Sequence, residues 1–96
     1  GGCYCPLCGY YDDPLNISEH HIAGRKHDDT TIPACRDCHD TLSRRQSKWP
    51  KIWLKEGLPA RTCRALMLRG ISDVLLLISR HLRNLSDLIL SEEGAK

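Results

Sequence analysis

Two Cys-x-x-Cys pairs, Cys5–Cys8 and Cys35–Cys38, are separated by 26 residues in a chain of 96. This spacing constrains the fold more than anything else in the sequence. A single domain of this size buries too little apolar surface to be secure without a staple. Aromatic side chains cannot supply the missing burial, because there are two tryptophans, three tyrosines and no phenylalanine. Six cysteines admit one rival reading, the disulfide framework of a secreted protein. The x2 spacing inside each pair is instead that of chelation, and no hydrophobic leader marks export. Four thiolates around one tetrahedral zinc ion are therefore the expectation. Cys3 is a spare able to replace Cys5 in a sliding register, and Cys63 reads as buried filler in a helical region. No apolar run reaches membrane-spanning length, so a soluble, cytoplasmic protein is expected.

The expected class is a small, zinc-stapled α+β domain with a helical C-terminal extension. Cys5-Pro6-Leu7-Cys8-Gly9 reads as a zinc knuckle, its glycine supplying the positive dihedral such turns need. The segment Leu15 to Ile22 alternates like a short strand. Residues 23–29 form a polar loop, and Thr30-Thr31-Ile32 suits a second strand, stopped by Pro33. A helix is expected from Arg36 or Asp37 to about Gln46. Beyond it, Trp49 to Leu54 suggests a short helical turn, and Gly57 and Pro59 separate that turn from a long helix starting at Ala60. Gly70 reads as a break or kink in that helix, and Ser72 as a cap. The chain thus divides into a metal-binding unit, residues 1–46, and a helical extension, residues 47–96.

The long helix carries its own pattern. Leu68, Ile71, Leu75, Ile78, Leu82, Leu85 and Ile89 alternate in steps of three and four, an a/d seam held for three heptads. Val74, Leu77 and Leu88 widen the apolar face. Such a helix cannot stand exposed. It folds across the zinc unit, pairs with a second copy, or packs on further chain. The zinc unit offers little apolar surface, which favours helix–helix association and a homodimer.

Charge is unevenly spread. Residues 1–40 carry a balance of −4, residues 41–70 a balance of +7, and residues 71–96 a balance of −1. A bland reading of the basic block is a solvated helix surface. Lying directly after a metal-ligand segment, it points instead to a phosphate backbone as partner.

Of the four histidines that fall among the cysteines, three stand in a telling pattern: His20 and His21 within Glu19-His20-His21-Ile22, and His39 directly after Cys38. On a strand, neighbouring side chains point to opposite faces, so His20 and His21 cannot both bind one ion in regular geometry. The natural split gives one to metal and leaves the other facing a substrate. This combination, with Ile-Pro-x-Cys-x-x-Cys-His at its end, resembles the HNH endonuclease family and its ββα-metal or His-Me finger fold. The resemblance covers about residues 3–46 and is to the subgroup with a four-cysteine zinc site. It implies His20 and His39 as ligands of a catalytic divalent ion, magnesium or another, and His21 as the general base. It also implies DNA as partner, and a prokaryotic or phage origin.

The chemistry fits those roles. Phosphodiester hydrolysis needs an activated water and charge relief at the phosphate and the leaving oxygen, and an imidazole titrating near neutrality is a suitable base. An ion held by two side chains keeps positions open for phosphate and water. One departure stands out: the family's asparagine, which orients the base, falls at Thr30 counting back from His39, or at His27 counting from Gly24-Arg25. Thr30 can still hydrogen-bond, and His27 can serve as donor or third ligand. Arg25, Lys26, Arg36, Arg44, Arg45 and Lys48 are the expected phosphate contacts, with Arg44 and Arg45 foremost. The reading is a metal-dependent DNA endonuclease or nickase. Its rivals are a non-catalytic zinc module that binds nucleic acid and a docking protein of a phage or restriction assembly.

Overall fold

The structure is a computed structural model that describes residues 2–94. Two short strands, β1 (Cys3–Tyr4) and β2 (Tyr11–Asp12), pair antiparallel. Their connection carries the first cysteine pair. The Gly9 N–H donates to the Cys5 carbonyl at 2.8 Å, and Gly9 has φ of 80°, where a side chain would be strained. The expected knuckle is present. A 3₁₀ turn, Pro14–Asn16, follows, its first N–H groups capped by Asp13 through the Leu15 N–H at 2.9 Å.

Strand β3 (Ile17–His21) and strand β4 (Thr31–Cys35) form a second antiparallel ribbon, with His20 opposite Ile32 and His21 opposite Thr31. Strand β3 begins two residues later than the alternation suggests, since Leu15 lies in the 3₁₀ turn and is 92% exposed. Pro33 does not stop the second strand; it sits inside β4, opposite Glu19. A two-stranded ribbon leaves alternate N–H groups pointing away from the partner, so a proline costs no ladder bond there.

Helix α1 (Arg36–Ser47) grows directly out of β4 with Cys35 as its N-cap. A 3₁₀ turn, Lys51–Leu54, then leads to helix α2 (Ala60–Gly94). The helix is continuous through Gly70 and Ser72, so neither acts as a break or a cap. Gly70 has a different purpose. A Cβ there would overlap the Ile22 carbonyl oxygen and lie 2.7 Å from its carbon, so only glycine lets α2 rest on the end of β3.

The core joins the two parts of the chain. Cys5, Leu7, Ala34, Cys35, Cys38 and Leu42 are buried together with Val74 and Leu77 of α2. The long helix therefore does fold across the N-terminal, cysteine-bearing unit, although so small a unit is expected to offer too little apolar surface. The cysteines themselves complete the wall; Val74 and Leu77, off the heptad seam, dock fully, and Ile78 of the seam packs beside them. The rest of the seam is left largely outward: Leu68, Leu75, Leu82 and Ile89 are all more than half exposed. Among the described residues no helix is long and apolar enough to cross a membrane.

Candidate metal and histidine centres

The four predicted thiols converge. The sulfurs of Cys5, Cys8, Cys35 and Cys38 all lie within 4.8 Å of one another. The sulfurs of Cys8 and Cys35 are 3.7 Å apart. Zinc–sulfur bonds of about 2.3 Å at tetrahedral angles require sulfurs about 3.8 Å apart, so the cage has the size such an ion needs. The same separation is far too long for a disulfide, and all six cysteines are free. Cys3 and Cys63 stay outside the cluster; the Cys63 thiol instead faces the Leu58 carbonyl at 3.6 Å.

Electrostatics supply an independent argument for a cation. Burial raises the Cys5 thiol, but the backbone N–H groups of Cys35, Leu7 and Cys8 outweigh it and draw the value down to about 7. One of these, the Cys35 N–H, donates to the Cys5 sulfur at 3.3 Å. Burial pushes Cys38 far up, and the Cys35 and Cys8 sulfurs push it further. Burial raises Cys8 as well. One thiolate forms readily in this cluster, and each further one meets its neighbours' charge. A divalent cation at the centre removes that conflict. The N-terminus of α1, where Cys35 caps and Cys38 lies in the first turn, adds its positive dipole end. The cluster can thus hold a structural metal ion such as zinc.

The histidines form a second group beside it. The rings of His20, on β3, and His39, on α1, are 5.6 Å apart centre to centre, edge to face. His20 is only 3% exposed. Its burial, with His39 and His21 nearby, holds its value down to about 4, so at neutral pH it keeps the uncharged form a metal requires. His21 is half-buried on the opposite face of β3, beside Glu19 by alternation. The Thr31 hydroxyl across the ribbon donates to Glu19 at 2.6 Å.

The two positions expected for the asparagine are engaged elsewhere. The His27 Nε2–H donates to the Trp53 carbonyl, which ties the β3–β4 loop to the turn before α2. Thr30 gives its hydroxyl and its N–H, the latter at 2.7 Å, to the Asp28 carboxylate, which lowers that carboxyl. Only the Thr30 carbonyl reaches the site, accepting the Ile22 N–H at 3.1 Å.

The residue that sequence reasoning missed is Gln46. Its side-chain nitrogen donates to the carbonyls of His21 at 2.8 Å and Ile22 at 2.9 Å, and stands 3.4 Å from His20 Nε2. The signal was available: Gln46 follows Cys38 and Leu42 at i+4 steps, a polar residue on the inward stripe of α1.

The basic residues separate. Arg25, Lys26, Arg44 and Lys48 are exposed. Arg25 and Lys26 line a cavity with Gln46 and Trp49, which sets the β3–β4 loop against the C-terminal end of α1. Arg36 is exposed at the other end of α1, near Tyr10 and Asn16. Arg45, expected among the foremost contacts, points inward instead and lies 4.0 Å from Asp73 of α2. Arg69 of the same basic block covers Trp53, 4.9 Å from its ring centre.

Comparison of the chain with known protein families, with characterised proteins and with solved structures returned no match.

Proposed function

We propose that this chain is a metal-dependent phosphodiester hydrolase of the HNH type, built on a ββα-metal unit and acting on DNA. The observation that carries this reading is the meeting of His20 and His39, from two different elements, beside a four-cysteine cage, with His21 on the other face of the same strand. In this reading zinc fills the cage and serves the fold alone. His20 and His39 hold a second divalent ion, whose contribution is to relieve charge on the scissile phosphate and the leaving oxygen. Two imidazoles suit ions of the nickel, cobalt or zinc type better than magnesium, which prefers oxygen ligands.

The chain's own residues do the rest. His21 accepts a proton from the attacking water at a ring nitrogen. Gln46 and the Thr30 carbonyl hold the backbone that carries it, the task expected of the absent asparagine. Arg25, Lys26, Arg44 and Lys48 draw in the phosphate backbone, giving affinity with little sequence preference.

The test is plasmid cleavage by zinc-loaded protein with magnesium, manganese, nickel and cobalt in turn. Cleavage is expected with at least one ion, and His21→Ala is expected to abolish it at unchanged zinc content. Plasmid retarded in a gel but cut with none of the ions would instead establish a non-catalytic binder.

A further inference from the structure

We propose that the outward face of α2 pairs with the same face of a second copy of this chain, the two helices running antiparallel. The proposal stands apart from the nuclease reading and rests on the surface alone. Leu68, Leu75, Leu82, Leu85 and Ile89 are between 50% and 69% exposed, while Val74 and Leu77 on another side are buried against the metal-binding unit. At about 100° per residue, the two faces lie roughly a quarter-turn apart, so the helix can dock and pair at once. The seam from Leu68 to Ile89 runs about 32 Å, three heptads, which is enough for a two-helix contact.

What selects a second copy, and sets its direction, is charge. Continuing the same face outward, Arg64 lies one turn before Leu68 and Glu93 one turn after Ile89, and both are exposed. Arg61 and Glu92 strengthen the contrast between the two ends. The face therefore reads basic, apolar, acidic, and is complementary to itself only when reversed. A two-fold axis near Ser79, which is exposed, brings each arginine end beside the partner's glutamate end, as a closed isologous dimer requires. Parallel pairing would set arginines against arginines and glutamates against glutamates. The seam is flanked on one side by Ser72, Ser79 and Ser86, which are small and uncharged and permit close approach of the helices.

Sedimentation velocity on the metal-loaded full chain, over a range of concentrations, tests this. A reversible dimer is expected. Leu75→Glu with Leu82→Glu should make the protein monomeric at unchanged metal content and unchanged tryptophan fluorescence, since both side chains project away from the domain. Arg64→Glu or Glu93→Arg alone should weaken the dimer by roughly three- to tenfold, and the two together should restore it. A wild-type chain that stays monomeric, or that forms open-ended aggregates, overturns the proposal. Charge reversals that do not compensate one another overturn the antiparallel arrangement.

Discussion

On the proposed nuclease reading, the Gln46 amide takes over the positioning of the base. Both of its hydrogens are committed, to the carbonyls of His21 and Ile22, at the point where β3 ends and His21 must be held. Gln46→Ala leaves those acceptors unsatisfied, which costs about 1–3 kcal/mol of stability. If His21 is the base as proposed, cleavage should suffer more than stability, falling roughly ten- to a hundredfold, because a small displacement of a catalytic group is expensive in rate. Unfolding curves and single-turnover cleavage at full metal occupancy check both numbers, and an unimpaired rate would remove Gln46 from the site. His20 makes a prediction of a different kind. Its folded value is about 4 against 6.5 for a free ring. As pH falls below 6.5 the unfolded chain takes up a proton that the folded chain refuses until about 4. Stability present above 6.5 is therefore lost on the way down to 4. Between pH 7 and pH 5 the wild type should lose about 2 kcal/mol more than His20→Gln. Urea titrations with one equivalent of zinc on both proteins measure the difference, and thiol protonation, common to both, cancels.

At the scale of elements, the decisive contact is α2 lying on the end of β3 at Gly70. Gly70→Ala adds a methyl that overlaps the Ile22 carbonyl. Helix propensity improves by about 1 kcal/mol, but forcing apart a packed contact costs about 1–3 kcal/mol or more, and here the clash is with backbone, which cannot rotate away. The net effect should be destabilising, with the melting temperature of the metal-loaded protein falling by several degrees; an unchanged or raised value would mean that α2 is not seated on β3. This contact also marks where sequence reasoning stops. Cysteine spacing located the knuckle and the start of α1 because chelation demands fixed local geometry. The split of His20 from His21 followed from strand alternation. Pro33 misled, since a single sequence does not tell a two-stranded ribbon from a wider sheet. Gly70 misled as well, because a close approach between elements 48 residues apart leaves no local mark and reads as a break. Val74 and Leu77 were visible as apolar, but their target was not, since it is a wall made partly of cysteine.

That wall governs the behaviour of the whole molecule. Cys5, Cys35 and Cys38 occupy the same buried cluster as Leu42, Val74 and Leu77, so the four-cysteine cluster and the hydrophobic core are one structure. The imidazole of His81 on α2 strengthens the link, its Nε2 standing 3.8 Å from the Cys38 sulfur, where it can donate to a metal-bound thiolate. Without a cation, the conflict among four adjacent sulfurs is resolved by protonation and by their moving apart, and either change opens the surface on which α2 rests. Structural zinc in small domains contributes on the order of 10–16 kcal/mol of apparent binding free energy at neutral pH, comparable to or larger than the whole stability of a domain this size. Chelation should therefore do more than loosen the knuckle. It should release α2 and unfold β3, β4 and α1 in one cooperative step. The tryptophans report on it, because Trp49 is buried and Trp53 lies under Arg69 of α2. Titration with a strong chelator should red-shift tryptophan emission and collapse amide-exchange protection at Ile22 and Leu77 at the same chelator concentration. Loss of protection around Cys5 and Cys8 alone, with the α2 signals intact, would show that the helix is held by something other than the metal-centred core.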